Sequence, residues 1–273
     1  MPETSPDLWH ALQRLPMVIP DLFVSDLLRY VLAIAAFYLV CRVVFRRSTQ
    51  ARKIRTDSPG WAQKRREIRA SLRSILVFTL AGSVTMVSIF MGTTQLYVGA
   101  GDLGWIWFAV SIGLMIVLHD AWFYWTHRLI HHPRLFRRFH REHHKSSNPS
   151  PWTAYAFNLG EAAINALFVP IILHLMPVSI LAATIWSMHQ ILRNVVGHSG
   201  YELFPATRAG KPMFDWMTTV THHDLHHAQA GYNYGLYFTW WDRLMGTEHP
   251  DYHARFQKVV DHGRSVETTE FAE

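Results

Sequence analysis

The chain has one cysteine, few charged residues and no flexible linker. Cys41 alone excludes an intramolecular disulfide and argues against a structural zinc site, which commonly recruits cysteine. Because no Pro/Gly/Ser-rich stretch separates two cores, the 273 residues are interpreted as one continuous unit. Charged residues are only 17% of the chain and hydrophobic residues 49%, a balance too apolar for an ordinary soluble enzyme of this size.

The apolar residues are concentrated in long runs, which predict membrane helices because about 20 helical residues cross the hydrocarbon core. Pro177 separates the last two runs and predicts a tight helical hairpin that need not cross fully. Arg29, at the start of the first run, is expected to reach toward the membrane interface. The predicted fold is all-α: an integral membrane helical bundle of four to five spans with a cytoplasmic histidine-rich helical cap. The runs cover residues 27–40, 74–92, 105–118, 162–176 and 178–186.

Lysine and arginine predict the orientation. Ten of them lie between positions 46 and 73, whereas the turn at 99–104 has none. Positive charge stays inside, so the N-terminus is expected outside and the basic segment in the cytoplasm. The third span is then expected to end at the cytoplasmic face, with residues 127–151 there. The segment after His198 is expected on the same face. Orientation and anionic lipid headgroups account for the net charge of +6, and no nucleic-acid partner is predicted.

The 18 histidines are clustered. Residues three or four apart share one side of a helix, so each of three clusters is expected to present its imidazoles along one helical face. Neutral imidazole binds zinc, copper, iron and nickel, and eight or more imidazoles are too many for one ion. Two metal ions are therefore implied. The clusters comprise His127 and His131; His140, His143 and His144; and His223, His226 and His227.

Several metal chemistries fit these clusters poorly. HREHH is not the HExxH motif of zinc peptidases, and the Glu-x-x-His pairs of soluble di-iron bundles are missing. Histidine-only ligation at the mouth of a membrane bundle favours an iron pair that activates dioxygen against an apolar substrate. Two other classes stay open: a membrane metal-binding or transport protein, and a bis-histidine haem protein. Transport would need ligands along a pathway near the midplane, and haem would need paired histidines on facing helices.

The motifs HRLIHH, HREHHKSS, GHSGY and HHDLHH, with YNYGLYFTWWDRLMGT after the last, resemble the fatty acid hydroxylase / sterol desaturase superfamily. Its members are integral-membrane non-haem di-iron oxygenases with HxxxH, HxxHH and a later HxxHH box. The resemblance covers roughly residues 106–247. The metal ligands that it implies are His127, His131, His140, His143, His144, His198, His223, His226 and His227.

Other residues are possible ligands or partners of ligands. Some relatives have one more residue in the first box, which would make His132 the ligand in place of His131. His189 lies nine helical residues before His198, about 13.5 Å deeper and on the opposite side of an ideal helix. His222 adjoins a box ligand but points elsewhere. Metal-bound histidine normally donates its second N–H to a carboxylate or carbonyl, a role open to Asp120, Asp224 and Asp242, and no catalytic group beyond the metal centre is identified.

The resemblance implies O2-dependent hydroxylation or desaturation of a membrane lipid such as a sterol or fatty acyl chain. It implies two iron ions, for which zinc can substitute, and dioxygen as co-substrate. The sequence predicts no strand followed by a GxGxxG motif, as flavin- and nicotinamide-binding units require, so an external cytochrome b5-like or ferredoxin-like electron donor is expected. Its predicted docking surface is Arg134, Arg137, Arg138 and Lys145.

The sequence is divided into three regions. Residues 1–104 are expected to hold the N-terminal membrane helices and the basic cytoplasmic loop. Residues 105–250 form the region resembling fatty acid hydroxylases, with the di-iron site. Residues 251–273 are expected to be a C-terminal tail.

Overall fold

Helices make up most of the protein. The computed structural model describes residues 7–270, with side chains described as far as Val266. Two short strands, β1 (Leu96–Tyr97) and β2 (Val178–Ser179), pair in parallel. The helices are α1 (Leu8–Tyr38), continued by a π-helical segment (Leu39–Val44), α2 (Arg46–Ala51), α3 (Trp61–Phe90), α4 (Trp105–Ile130), α5 (Pro133–Phe139), α6 (Arg141–His144), a 3-10 helix (Pro151–Tyr155), α7 (Leu159–Ala166), α8 (Phe168–Leu175), α9 (Ile180–Gly197), α10 (Val220–Ala228), α11 (Trp240–Leu244) and α12 (Tyr252–Glu270).

Three of the described helices are long and apolar enough to cross a membrane. They are α1 with its π-helical extension, 37 residues; α3, 30 residues; and α4, 26 residues. Large apolar side chains on their outer faces remain exposed, with Leu80, Val84 and Ile106 at 67%, 61% and 84%. An apolar outer surface of this extent suits hydrocarbon rather than water. The prediction of a helical membrane bundle is confirmed.

The last two apolar runs form shorter helices. α7 and α8 have eight residues each and α9 has 18. Met176 is extended, with φ −145° and ψ 148°, as expected for a residue that precedes proline. The described residues therefore hold three long spanning helices rather than four to five, and the last two runs form the predicted hairpin.

The strand pair explains why distant histidines meet. Leu96, in the connection between α3 and α4, pairs with Val178, in the turn between α8 and α9. Both connections thus lie at the same end of the bundle, so α4 and α9 start there and run toward the other end. α4 carries His127 in its last turn, and His198 caps α9. The topology therefore delivers both imidazoles to the end opposite the strands.

The remaining helices close the bundle. α1 packs against α3 and α9 around a buried cluster that includes Tyr30, Ile75 and Ile191. The region from residue 251, expected to be a tail, contains α12, which packs against α10 and α2. Tyr252 and Phe256 are fully buried in that contact. The boundaries of the three sequence regions stay a prediction.

Candidate metal centre

The first pair of histidines comes from the end of α4. His127 lies in the last turn and His131 caps the helix. The Nδ1 of His127 donates to the carbonyl oxygen of Tyr234 at 2.9 Å. Because a carbonyl only accepts hydrogen bonds, the proton of neutral His127 is held on Nδ1 and the lone pair is on Nε2. That Nε2 lies 2.9 Å from the Nε2 of His140.

A break separates His140 from the rest of the second cluster. α5 ends before His140, which has φ −133° and ψ −13°, and α6 begins directly after it. The side-chain oxygen of Asn158 accepts the backbone N–H of Glu142 at 2.8 Å, which caps α6 as a new helix. The expectation that one helix carries all three histidines of this cluster is therefore wrong at His140.

The third cluster lies on a single helix, as the spacing predicts. α10 carries His223, His226 and His227. Two oxygens fix its N-terminus: Thr219 Oγ1 accepts from the backbone N–H of His222 at 3.2 Å, and Glu202 accepts from that of Thr221 at 2.8 Å. Since the first N–H groups of a helix have no partner inside it, these bonds position α10 against its surroundings.

All nine histidines that the resemblance implies as ligands come together, in two groups. Within each group the candidate ligand nitrogens lie within 4.8 Å of one another. The four-histidine group is fully buried, whereas His131 and His144 of the five-histidine group are half-buried. The five-histidine group is His127, His131, His140, His144 and His226, and the four-histidine group is His143, His198, His223 and His227.

The Nε2 atoms face inward in both groups. In the five-histidine group, His144 Nε2 lies 3.2 Å from that of His131 and 3.0 Å from that of His226. In the four-histidine group, His198 Nε2 lies 3.3 Å from that of His143 and 3.0 Å from that of His223. Two nitrogens bound to one ion at about 2.1 Å are about 3.0 to 3.4 Å apart, depending on geometry. The donor set thus fits one metal ion in each group.

The two groups share helices and adjoin each other. Each pair spaced four apart stays within one group, as for His140 with His144 and His223 with His227. The third histidine of each cluster, His143 or His226, enters the other group, so the expectation that each cluster presents all its imidazoles along one helical face holds only for the pairs spaced four apart. The ring centroids of His144 and His227 are 5.2 Å apart across the boundary. α6 and α10 thus connect the groups into one candidate two-metal centre.

Burial keeps these imidazoles uncharged. Burial lowers the pKa of His144 from 6.5 to about 2, and lowers the pKa of His198 and His226 to about 4. Burial, reinforced by neighbouring histidines, also holds the pKa of His143 and His223 well below 6.5. A metal ion binds the neutral form, so near neutral pH the lone pairs are available as donors.

Partners lie on the far side of three further imidazole rings. The Nδ1 of His226 donates to the carbonyl oxygen of Tyr232 at 2.6 Å, and that of His198 to the carbonyl oxygen of Asn194 at 2.7 Å. The Nδ1 of His140 lies 2.8 Å from Glu161 Oε1, with both side chains buried. The two carbonyls select the tautomers of His226 and His198 and hold their rings in place, whereas Glu161 touches His140 without a hydrogen bond to its Nδ1.

Glu161 is the residue that sequence reasoning missed. It stands alone at the edge of the apolar run 162–176, three residues after Asn158. A carboxylate beside an apolar helix costs free energy unless a partner compensates its charge. The position of Glu161 in the sequence could therefore have indicated a nearby partner. Asn158 and Glu161 together connect α7 to the second cluster, since one caps α6 and the other contacts His140.

The three aspartates considered as orienting residues make other contacts. Asp242 accepts from the backbone N–H groups of Tyr234 and Gly235, each at 2.8 Å. Asp120 accepts from the backbone N–H of Tyr237 at 2.7 Å. Asp224 pairs with Arg55 on the outer side of α10. Asp242 thus acts on His127 through the peptide group that joins Tyr234 to Gly235. The neighbouring Arg243 does not pair with Asp242 but with Asp215 and Glu248.

The additional histidines join neither group. His132 is exposed and caps α5, where its Nδ1 accepts from the backbone N–H of Arg134 at 3.4 Å. His189 packs its ring 4.7 Å from that of Tyr237. His222 is fully buried, with Nε2 3.8 Å from Asp242 Oδ2. His131, and not His132, is therefore the member of the first cluster that faces the other imidazoles.

An apolar cavity of about 320 Å³ lies between the membrane helices. It is lined by α1, α3, α4, α7, α8 and α9, and His119 lies in its wall. Two of its aromatic lining residues also touch the candidate centre: Phe123 lies 4.9 Å from the His127 ring, and Phe157 5.3 Å from the His143 ring. The cavity therefore reaches both groups from the membrane side.

Known proteins share this region. A family model described as fatty acid hydroxylase matches residues 112–247. A Delta(7)-sterol 5(6)-desaturase of Gibberella zeae is 29% identical over 192 residues, 68% of this chain and 56% of that protein. A Delta(7)-sterol 5(6)-desaturase of Aspergillus fumigatus is 31% identical over 212 residues, 68% of this chain and 62% of that protein. Methylsterol monooxygenase 1 of Rattus norvegicus is 35% identical over 153 residues, 55% of this chain and 50% of that protein.

These matches span about half to three fifths of the length of the relatives. No solved structure matches the chain. The family match begins in α4 and ends just beyond α11, so it contains all nine grouped histidines. By its matched region and its relatives, this chain belongs to the fatty acid hydroxylase / sterol desaturase superfamily.

Proposed function

We propose that the protein is a di-iron, O2-dependent oxygenase that hydroxylates or desaturates a membrane lipid such as a sterol or fatty acyl chain. One observation carries the proposal: nine uncharged imidazoles form two adjoining groups at the end of an apolar cavity between membrane helices. The relatives named as sterol desaturases and a methylsterol monooxygenase support a sterol-like lipid. An aliphatic C–H bond buried in such a cavity needs a strong oxidant beside it.

The donor set fits iron. Imidazole suits iron as well as zinc and copper, so zinc can occupy the groups without iron chemistry. We assign one ion to His127, His131, His140, His144 and His226, and a second to His143, His198, His223 and His227. When bound, the iron pair would activate dioxygen and supply the oxidant that removes hydrogen from the lipid.

The chain's own residues position the substrate and protect the centre. Phe123 and Phe157 present apolar surface between the cavity and the imidazoles, which favours an aliphatic segment of the lipid there. The buried four-histidine group is shielded from water, whereas the five-histidine group reaches the surface at His131 and His144. Exclusion of water limits side reactions of a reactive centre.

We place the centre on the cytoplasmic face. The basic residues between positions 46 and 73 lie at the histidine end, since Arg55 pairs with Asp224 of α10 and Arg66 donates to the carbonyl of Lys145 at 2.9 Å. The turn at 99–104, without lysine or arginine, lies at the strand end. This distribution of positive charge supports a centre on the cytoplasmic face.

An external electron donor completes the proposal. Arg134, Arg137 and Arg138 are exposed on or beside α5, and no ion pair involves them among the described residues. They form a basic surface next to the half-buried His131, whereas Lys145 already pairs with Glu142 at 2.6 Å. Such a surface would attract an acidic cytochrome b5-like or ferredoxin-like protein.

The test compares lipid extracts from cells with the intact protein, with His226→Ala/His227→Ala, and with His132→Ala as the matched histidine control. A lipid that gains one oxygen, or loses two hydrogens, in the intact and His132→Ala samples alone identifies the substrate and the reaction. An unchanged profile with iron bound and a reduced donor present would refute the proposal.

Metal analysis addresses the alternative classes. Two irons per chain without a Soret band support the oxygenase, a Soret band supports haem, and metal flux into vesicles supports transport. Transport is disfavoured because the imidazoles gather at one end of the bundle.

A further inference from the structure

An ion pair lies in the cavity wall, away from the histidines. Asp26 and Arg29, one turn apart on α1, form a salt bridge, and both line the cavity. The Nη1 of Arg29 donates to Ser187 Oγ on α9 at 3.1 Å. Arg29 therefore turns toward the cavity and α9, which corrects the expectation that it reaches toward the membrane interface.

Charged groups within membrane helices are costly and mark functional sites. This pair is only partly covered, because a third of the Arg29 side chain, 33%, and 14% of Asp26 remain exposed. A guanidinium has five N–H donors, and among the described residues Asp26 and Ser187 are its acceptors. Arg29 thus keeps spare hydrogen-bond donors at an apolar cavity.

A second donor lines the same cavity. Trp186 lines the cavity and is 6% exposed, and its indole N–H has no partner among the described residues. Buried donors without an acceptor are rare and costly, because the lost hydration is not replaced. Arg29, Trp186 and Ser187 all line the cavity, and we call these three side chains the polar spot of its wall.

The charge balance selects the kind of group that this spot accepts. Asp26 neutralises Arg29, so an incoming carboxylate, sulfate or phosphate would meet Asp26 as a like charge. A neutral hydroxyl or carbonyl oxygen would accept a spare N–H without that repulsion. Beyond the spot, Met86, Ile89 and Leu96 give the cavity an apolar end.

The spot lies at a defined depth. Ser187 precedes His198 by eleven residues of α9, a helical rise of about 16 Å. Resting on the oxygenase function proposed above, we propose that Asp26, Arg29, Trp186 and Ser187 bind a neutral oxygen group of the lipid substrate. The contact sets which carbon lies beside the metal centre, and it excludes lipids whose only polar group is anionic.

Binding of three sterol probes tests this assignment: cholestanol, cholestane without the hydroxyl, and cholestanol sulfate. Metal-loaded protein in nanodiscs is titrated under argon without an electron donor, so a failure of turnover does not affect the result. We expect cholestanol to bind roughly tenfold or more tightly than cholestane, because a hydrogen bond to a charged donor changes affinity by about that factor. Equal affinity of these two probes would overturn the proposal.

Charge variants give the sharper comparison. Asp26→Asn leaves the guanidinium without its counter-charge, so the sulfate is expected to gain at least about tenfold in affinity. The double change Asp26→Asn/Arg29→Gln should abolish the preference for cholestanol over cholestane and leave cholestane binding unchanged. Met86→Leu, in the apolar part of the same cavity, is the matched control and should retain the wild-type preference. An Asp26→Asn protein that still rejects the sulfate contradicts the assignment.

A measurement on the unaltered protein covers the possibility that charge variants do not fold. Cholestanol with a photoreactive diazirine beside its hydroxyl is bound, illuminated and mapped by peptide mass spectrometry. Labels are expected on α1 near Arg29 and on α9 near Ser187. Labels confined to Phe157, or to Ile89 and Leu96, would place the hydroxyl elsewhere and refute the proposal.

Discussion

The carboxylate of Asp242 accepts the backbone N–H of Gly235 at 2.8 Å, and the carbonyl of Tyr234, which belongs to the same peptide group, accepts the Nδ1 proton of His127 at 2.9 Å. A carboxylate outside the metal centre thus orients an imidazole through one peptide group. Thr247 Oγ1 also donates to Asp242, at 2.8 Å. The loop that provides the Tyr234 carbonyl is therefore held by a fully buried side chain.

Asp242→Ala is expected to loosen that loop and weaken metal binding by about 10- to 100-fold, the usual effect of losing an indirect partner of a metal ligand. The affinity is measured by titration of iron into metal-free protein. Asp215→Ala, which removes an exposed carboxylate paired with Arg243, is the control and should bind iron normally. Wild-type affinity in Asp242→Ala would show that the Tyr234 contact does not orient His127.

Glu161→Ala should affect one ion more than the other. Glu161 contacts His140, a member of the five-histidine group only. The expected result is a fall from two irons per chain toward one, measured by metal analysis and Mössbauer spectroscopy after dialysis. Glu142→Gln, whose carboxylate pairs with Lys145, should keep both irons. Equal loss of both irons in Glu161→Ala would instead indicate that the two groups form and empty together.

Substitution of His131 and His132 separately resolves the ligand of the first cluster. His131 faces the five-histidine group, whereas His132 is exposed and caps α5. His131→Ala should lower product formation at least about 100-fold, and His132→Ala should stay within about twofold, as is usual for a surface change. Activity is measured as oxidised lipid per bound protein. The reverse pattern would assign the metal to His132.

Filling the cavity should block the lipid without disturbing the metal. Gly82 lines the cavity, and a Cβ added there would meet Leu22 at an ordinary 3.6 Å. Gly82→Leu is expected to keep its iron and lose at least about tenfold in turnover, because the added side chain occupies substrate space. Gly113→Leu is the matched control, since Gly113 is exposed on α4 and a Cβ there meets nothing within 4 Å. Normal turnover in Gly82→Leu would argue that the lipid enters by another route.

Charge reversal tests the donor surface. Arg137→Glu/Arg138→Glu should raise the KM for a reduced acidic donor about tenfold, with little change in kcat, because steering by charge acts mainly on association. The difference should shrink at high salt, where exposed charges are screened. Lys211→Glu, a reversal at another exposed site, is the control. A KM that does not change would place the donor on a different surface.

Local patterns were enough for much of the site. The spacing of four between His127 and His131, or between His223 and His227, predicted which rings share a side, and each such pair remains in one group. The motifs identified by resemblance cover every grouped histidine. Sequence spacing could not reveal that His143 and His226 cross to the other group, because that depends on which helices face each other.

Local sequence patterns also could not predict hydrogen-bond partners that are distant in sequence. The bond between His127 and Tyr234 links residues 107 positions apart, and a backbone carbonyl leaves no trace in residue type. Glu161 and Asn158 act on the second cluster only because α7 folds against it. The break at His140 depends on the same cap and not on a proline or glycine.

The sequence by itself determined the class of molecule and the histidine spacing that a metal site needs, because apolar run length and helical spacing are properties of contiguous residues. Tertiary structure alone decided the division of nine imidazoles into groups of five and four, the carbonyls and carboxylate that contact them, and the inward turn of Arg29. The parallel contact of Leu96 with Val178 aligns α4 with α9 and so brings the ligands together. Such long-range packing cannot be predicted from the spacing of residues within one helix.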